Sequence, residues 1–254
     1  MLMPRVIPSL LLKDNGLYKT KNFSNPSYIG DPVNVVKIFN EKEVDEIVIL
    51  DISASLENKE PNFKLLAEIA GEAFMPLAYG GGIRTVEDAR QIFSMGYEKV
   101  VLNTIAFEDM SIIERLANEF GSQSIVVSVD IKRNLLRQAK VYSMSGNKKT
   151  SYSPLEAVKK LEGKGVGEIL LNFIDRDGCM NGYDLSLVKE VTSIVNVPVA
   201  VCGGAGSLQD LVSVVNEGGA SAAVAGSLFV YYGPHKAVLM NYPKYDEILR
   251  MFSE

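Results

Sequence analysis

Asp130 closes a largely apolar run, Ile125–Val129, where a strand would deliver a carboxyl group to the rim of a sheet. A carboxyl placed there can take or give a proton once burial or a like charge raises its pKa. Asp51, Asp175 and Asp177 lie at or just past the ends of two further apolar runs. For Asp51 and Asp175, capping a helix or holding a loop is an equally open duty. Anion binding is the second chemistry on offer. Gly81 and Gly82, and again Gly203 and Gly204, stand between a short apolar run and a helix start. Free N–H groups and the helix dipole favour a phosphate at such a junction. Asn103 and Thr104 should join the first pair, and Gly226 and Ser227 the second, with Gly178 adding a backbone N–H. The plainer reading is that these glycines only make tight turns. Two seats on opposite sides of one mouth would suit a ligand with a phosphate at each end. Lys19, in a polar stretch, either closes over such an anion or is an ordinary solvated lysine.

A further set of charges sits at the other end of the strands. Arg5, Glu46, Lys99 and Glu168 each begin an apolar run, so they should converge as a ring of two cations and two anions. Such a ring is either a salt-bridge plug for the floor of a barrel or a gate to its axis, and spacing alone does not choose.

The elements that must position these residues are readable from periodicity and caps. The apolar runs Arg5–Leu12, Ile47–Ile52, Leu77–Tyr79, Lys99–Leu102, Ile125–Ile131 and Glu168–Phe173 read as strands. Residues 13–30 read as a long polar, mobile loop. Asp31-Pro32 opens a helix to about Lys42, Asn62–Gly71 forms another, and Thr85 caps a third. Ser111–Phe120 is helical, and residues 134–152 suggest a surface hairpin around Gly146-Asn147. Ser153-Pro154 with Glu156 and then Asp184 open two more helices, and Tyr245–Phe252 closes the tail.

One segment then recurs. PLAYGGGIRTVEDARQIFSMGYEKVVLNTIAF from Pro76 is matched by PVAVCGGAGSLQDLVSVVNEGGASAAVAGSLF from Pro198, always 122 positions on, and Val44 and Glu46 match Val166 and Glu168. This duplication supplies the last two strands and predicts a (β/α)₈ TIM barrel with a twofold internal half-barrel repeat, one domain over residues 1–254. An open doubly wound sheet is the alternative. Right-handed crossovers would make all strands parallel and open their C-terminal ends on one face.

Composition narrows the function. A net charge of −5 with no clustered lysines or arginines gives no reason to expect nucleic acid. Cys179 and Cys202 lie far apart and His235 is the single histidine, so neither a metal site nor another cofactor is expected, and a reducing cytosol is the natural home. The expectation is a cytoplasmic protein without signal peptide or membrane span.

Taken with the stretches RVIPSLLLKD, DEIVILDISAS, GGGIRTVEDA, VLNTIAF, FGSQSIVVSVDIKR, GEILLNFIDRDG, GYD and CGGAG, the chain resembles the cyclase subunit of imidazole glycerol phosphate synthase from end to end. The resemblance implies a glutaminase subunit docked on the N-terminal face, releasing ammonia through the barrel to a bisphosphorylated ribulosyl substrate at the top. It implies that Arg5, Glu46, Lys99 and Glu168 match the family's gate and that Glu98 and Gln123 fall in its glutaminase-contact region. Gly82, Asn103, Thr104, Gly178, Gly204 and Ser227 match phosphate ligands, and Asp130 matches one of two catalytic aspartates. The position of the other is Leu11, and leucine cannot transfer a proton. That departure, and the stretch LKDNGLYKTKNFSNPSYIGDP, look like the paralogues found with surface-polysaccharide genes, where this barrel and a glutaminase supply ammonia for amidinating a sugar. A third amidotransferase protein would perform the last step only if the barrel were a conduit. The genuine histidine-pathway cyclase, a non-catalytic ammonia conduit and a sugar-phosphate isomerase on the same duplicated barrel are the other readings. The charged floor argues against the isomerase, which has no use for an ammonia gate.

Overall fold

The computed structural model describes residues 4–134 and 136–253. The strands are β1 (Arg5–Lys13), β2 (Gly16–Lys21), β3 (Ser24–Gly30), β4 (Ile47–Asp51), β5 (Leu77–Gly80), β6 (Lys99–Leu102) and β7 (Ile125–Arg133). They continue with β8 (Ala139–Ser143), β9 (Lys148–Lys149), β10 (Glu168–Phe173), β11 (Val199–Cys202), β12 (Ala222–Ala225), β13 (Tyr231–Tyr232) and β14 (Ala237–Val238). The helices are α1 (Pro32–Glu41), α2 (Phe63–Ala70), α3 (Val86–Ser94), α4 (Thr104–Glu108) and α5 (Ser111–Phe120). After them come α6 (Pro154–Gly163), α7 (Leu185–Thr192), α8 (Leu208–Asn216), α9 (Ser227–Val230) and α10 (Tyr245–Ser253).

Eight strands pair in parallel around a closed circuit: β1 with β4, β5, β6, β7, β10, β11, β12 and back to β1. The expected TIM barrel is therefore closed, and the open sheet is ruled out. Alternation along each strand sorts side chains into two cores. In β1, Val6, Leu10 and Leu12 point outward to pack under the helices, while Ile7 points to the axis. The helices bury matching stripes, such as Val35, Val36 and Phe39 on α1 and Ile112, Ile113 and Leu116 on α5.

Two departures from expectation bear on the mouth. Residues 13–30 are not a mobile loop but an antiparallel hairpin, β2 with β3, whose first strand also pairs with the end of β1 at Leu11↔Tyr18, Leu12↔Leu17 and Lys13↔Gly16. Asp14 and Asn15 make the turn between β1 and β2 with positive φ (47° and 64°), a conformation these short polar residues tolerate. The stretch looks loop-like in sequence because much of its polarity faces the barrel mouth. The expected hairpin at 134–152 exists as β8 and β9, and β8 pairs in addition with a longer β7, from Asp130↔Tyr142 to Arg133↔Ala139. The short helices α4 and α9 and the hairpin β13–β14 carry no strong periodicity and were not expected.

The duplication survives in atomic detail. Thr85 Oγ1 accepts from Asp88 N at 3.1 Å, and Asp88 Oδ2 accepts from Arg84 N and Thr85 N at 2.9 Å. In the second half, Ser207 Oγ accepts from Asp210 N at 3.3 Å, and Asp210 Oδ2 from Gly206 N and Ser207 N at 2.9 Å. Thr85→Ala and Ser207→Ala should each cost about 1 kcal/mol in urea denaturation. The two caps sit on different helices of different halves, so the double variant should lose the sum. A shortfall would mean that the halves share one weak point.

Candidate active site

The alternation that builds the core also stacks the axis in layers. Arg5, Glu46, Lys99 and Glu168 meet at the N-terminal end. Arg5 Nη1 donates to Glu46 Oε2 at 2.6 Å and its Nη2 to Glu168 Oε1, while Lys99 Nζ reaches Glu46 Oε2 at 2.9 Å and Glu168 Oε2 at 3.1 Å. Burial opposes the Arg5 charge, but the bonds and charges of Glu168 and Glu46 outweigh it, and its pKa is raised. Directly above lies a cavity of about 20 Å³ lined by Glu46 and Glu168 below and by Ile7, Val48, Ala78 and Leu170 around it. This volume suits one water-sized molecule.

At the C-terminal end the layer turns polar and opens into two cavities. One, of about 350 Å³, is lined by Asp51, Gly81, Gly82, Asn103, Thr104, Ser128 and Asp130. The other, of about 30 Å³, is lined by Lys19, Asp177, Gly178, Gly203, Gly204, Gly226 and Ser227. Each set of residues expected to cradle an anion is thus gathered in its own half of the mouth. Leu11 lines both. Asp130 is buried, and burial pushes its carboxyl pKa up to about 7, with hydrogen bonds from Ser128 and Asn172 working the other way.

A family profile described as "Histidine biosynthesis protein" matches residues 5–236. The chain belongs to that family. It is 53% identical, over 98% of its own length and 99% of the relative's, to a Pseudomonas aeruginosa protein provisionally named imidazole glycerol phosphate synthase subunit hisF2. It is 49% identical over 97% of its length and 95% of the relative's to a Vibrio vulnificus protein provisionally named subunit hisF3. It is 42% identical, over 91% of its length and 92% of the relative's, to the imidazole glycerol phosphate synthase subunit HisF of Alkaliphilus metalliredigens.

Within this family member the candidate residues divide by what their side chains already hold. Lys19 is not a solvated lysine on a mobile loop: it is buried on β2, its Nζ 3.3 Å from Ser9 O. A Cβ on Gly226 would fall 2.0 Å from that ammonium, so the bare backbone there makes room for it. Asp177 ties down the hairpin, accepting from Thr20 Oγ1 at 2.5 Å and Phe23 N at 3.1 Å. Gly178, at φ +67°, lets the hairpin settle against it, since a Cβ would meet Thr20 O at 2.2 Å. Asp51 Oδ1 accepts from Ser53 N, Ser53 Oγ and Ala54 N at 2.8–2.9 Å, the loop-holding duty left open by the sequence. Asp175 does likewise through Arg133 N at 2.6 Å. Asn103 Nδ2 donates to Ser128 O at 3.0 Å, and Thr104 Oγ1 accepts from Met144 N at 3.1 Å.

Three residues escaped the sequence reading. Asn172 is paired with Asp130 at the same level, and Ser128 sits below Asp130 in the same column, where counting back by two would have found it. Phe74, 91% exposed just before β5, stands on the N-terminal face, where nothing in its local sequence marks it as exposed.

Asp130 ionises less readily folded than unfolded, so its contribution to stability is complete below the ordinary carboxyl pKa and is lost as pH rises through about 7. Asp130→Asn should therefore gain stability over the wild type at pH 8, by roughly 2–4 kcal/mol, and the gain should fade towards pH 4. Thermal or urea unfolding at the two pH values measures it; an equal difference at both would mean that Asp130 titrates normally.

Proposed function

We propose that this chain is the ammonia-accepting, cyclase-type subunit of a glutamine-dependent amidotransferase, and that it binds a bisphosphorylated ligand at the barrel mouth. Within that class we assign it to amidination of a surface sugar rather than to histidine synthesis. The observation that carries the second step is Leu11. It lines both cavities of the mouth, with Asp51 and Asp130 in the larger and Asp177 in the smaller. Asp14 lies in an exposed turn, Asp51 holds its own loop through Ser53, Asp175 accepts from the end of β7 at Arg133 N, and Asp177 accepts from the β2–β3 hairpin at Thr20. One proton-transfer group, Asp130, faces a hydrocarbon where a pair would stand.

The names of relatives support the same reading. The four at 49–53% identity carry provisional names, two as subunits numbered 2 and 3 and two as HisF, whereas relatives named HisF without qualification stand at 41–43%. The family profile also stops at residue 236, before α10, and alignment to the hisF2 relative runs over 248 residues against 232 for the HisF of Lactococcus lactis.

In this reading a glutaminase subunit docks on the N-terminal face. Ammonia passes the Arg5–Glu46–Lys99–Glu168 ring, rests in the small cavity above it and travels up the axis to a ligand held at both ends. Lys19 and the glycine turns neutralise its phosphates, and Asp130 takes the proton released as nitrogen bonds to carbon. A third protein could complete the transfer to the sugar. Exposed Phe74, Glu98 and Gln123 on the N-terminal face are the contact points this assigns.

Supplying ammonium salt and the bisphosphorylated ribulosyl substrate tests the reaction. The wild type should turn over negligibly and Leu11→Asp should gain on the order of 10²–10⁴-fold. Ordinary turnover by the wild type would restore the histidine assignment. Docking is tested separately: Phe74→Glu with Glu98→Arg should abolish co-purification with a co-expressed glutaminase while leaving the thermal transition in place. Survival of binding and of coupled glutamine use would put the docking face elsewhere.

A further inference from the structure

A lone carboxyl that must both take and return a proton needs surroundings that tolerate it charged and uncharged. Burial alone would hold it neutral, and a lysine or arginine beside it would hold it ionised. Neutral groups that can both donate and accept avoid either trap. Ser128 is such a group. It lies two residues before Asp130 on β7, so both side chains point to the axis, and Ser128 Oγ donates to Asp130 Oδ1 at 2.8 Å. Both residues are buried, at 5% exposure each. Asn172 occupies the paired position on β10 and offers its amide to the same carboxyl. A hydroxyl or an amide that donates to the carboxylate can turn to accept from the carboxylic acid. The strand is held as well, because Asn103 Nδ2 bonds the carbonyl of Ser128 at 3.0 Å and so ties the end of β6 to β7.

We propose that Ser128 and Asn172 are positioning residues that hold the ionised form of Asp130 against the burial that disfavours it, while remaining able to accept from its acid form, the condition under which a single carboxyl can serve as base and then as acid. The proposal rests on the reading above that Asp130 is the proton carrier opposite Leu11. The charged and titratable groups nearby are Tyr142, paired with Asp130 across β8, Asp51 and Lys13 in the larger cavity, and Lys19 and Asp177 in the smaller. None of these sets where Asp130 titrates: burial comes first, then Ser128 and Asn172, and together they place it at about 7.

Carboxyl ¹³C NMR of aspartate-labelled protein reads the outcome directly, with the Asp130 signal assigned by its loss in Asp130→Asn. The wild-type midpoint should lie near 7. Ser128→Ala and Asn172→Ala should each raise it by about 0.5–1, and Ser128→Thr, which keeps the hydroxyl, should restore it. Should the alanine variant of Ser128 not fold, Ser128→Cys, with its weaker donor, should move the midpoint the same way. A wild-type midpoint near 4, or midpoints unmoved in the variants, would overturn the proposal. Midpoints that move as expected in a chain that fails the turnover test would uphold the clamp and remove only the reaction assigned to it.

Discussion

A closed parallel barrel leaves each strand two directions in which to point a side chain, towards the axis or towards the helices. Because the alternation is strict, a residue facing the axis at the floor of a strand places those two, four and six positions above it on the axis as well. Arg5, Ile7, Ser9 and Leu11 form one such column, and Glu168, Leu170 and Asn172 another. The axis thus runs from a charged floor through a band of valine, alanine and leucine to a polar mouth. A one-residue slip of β7 would turn Asp130 into the outer core and bring Val129 to the mouth.

The floor is where stability and function part company. Glu46 and Glu168 are buried, and taking two carboxylates and two cations out of water costs about as much as their mutual attraction returns. An apolar plug of similar volume would close the barrel at least as well. The arrangement is therefore poorly explained as a device for stability, which favours the gate over the plug in the proposed function. The four residues also bond each to two partners of opposite sign, so one side chain can swing without leaving a charge wholly unpaired.

Much of this was legible because it follows from period and repetition. The barrel came from eight apolar runs and an offset of 122, and the two capping boxes repeat it at atomic scale. The gathering of Gly81, Gly82, Asn103 and Thr104 on one side and Gly203, Gly204, Gly226 and Ser227 on the other follows from strand ends alone. The hairpin β2–β3 was hidden because its pattern mixes two environments: Leu17 packs in the outer core while Lys19 and Thr20 are buried towards the mouth. Polar residues that face inward look solvated in a sequence. Which duty Asp51 and Asp175 take, and that Asp177 anchors the hairpin, could not be read in advance, because their hydrogen bonds depend on the path of the loop after Asp51 and, for Asp175 and Asp177, of segments distant in sequence.

That hairpin is what breaks the symmetry of the duplicated halves. Asp177 and Gly178 anchor it over the second half only, and it carries Lys19 into the cradle there, leaving about 30 Å³ against about 350 Å³ on the other side. Burial lowers the pKa of Lys19, the nearby Asp177 opposes that, and the ammonium has one backbone carbonyl within hydrogen-bond reach. An anion arriving beside it would compensate that buried charge, so in the proposed function the second cradle would be the tight, charge-driven seat of the ligand. The first half, roomier and walled by Leu11, Leu50 and Ile83, is where chemistry has space to move. Asp130 opens on that half, so in the proposed function the proton carrier would stand at the roomier end of a ligand held by the other.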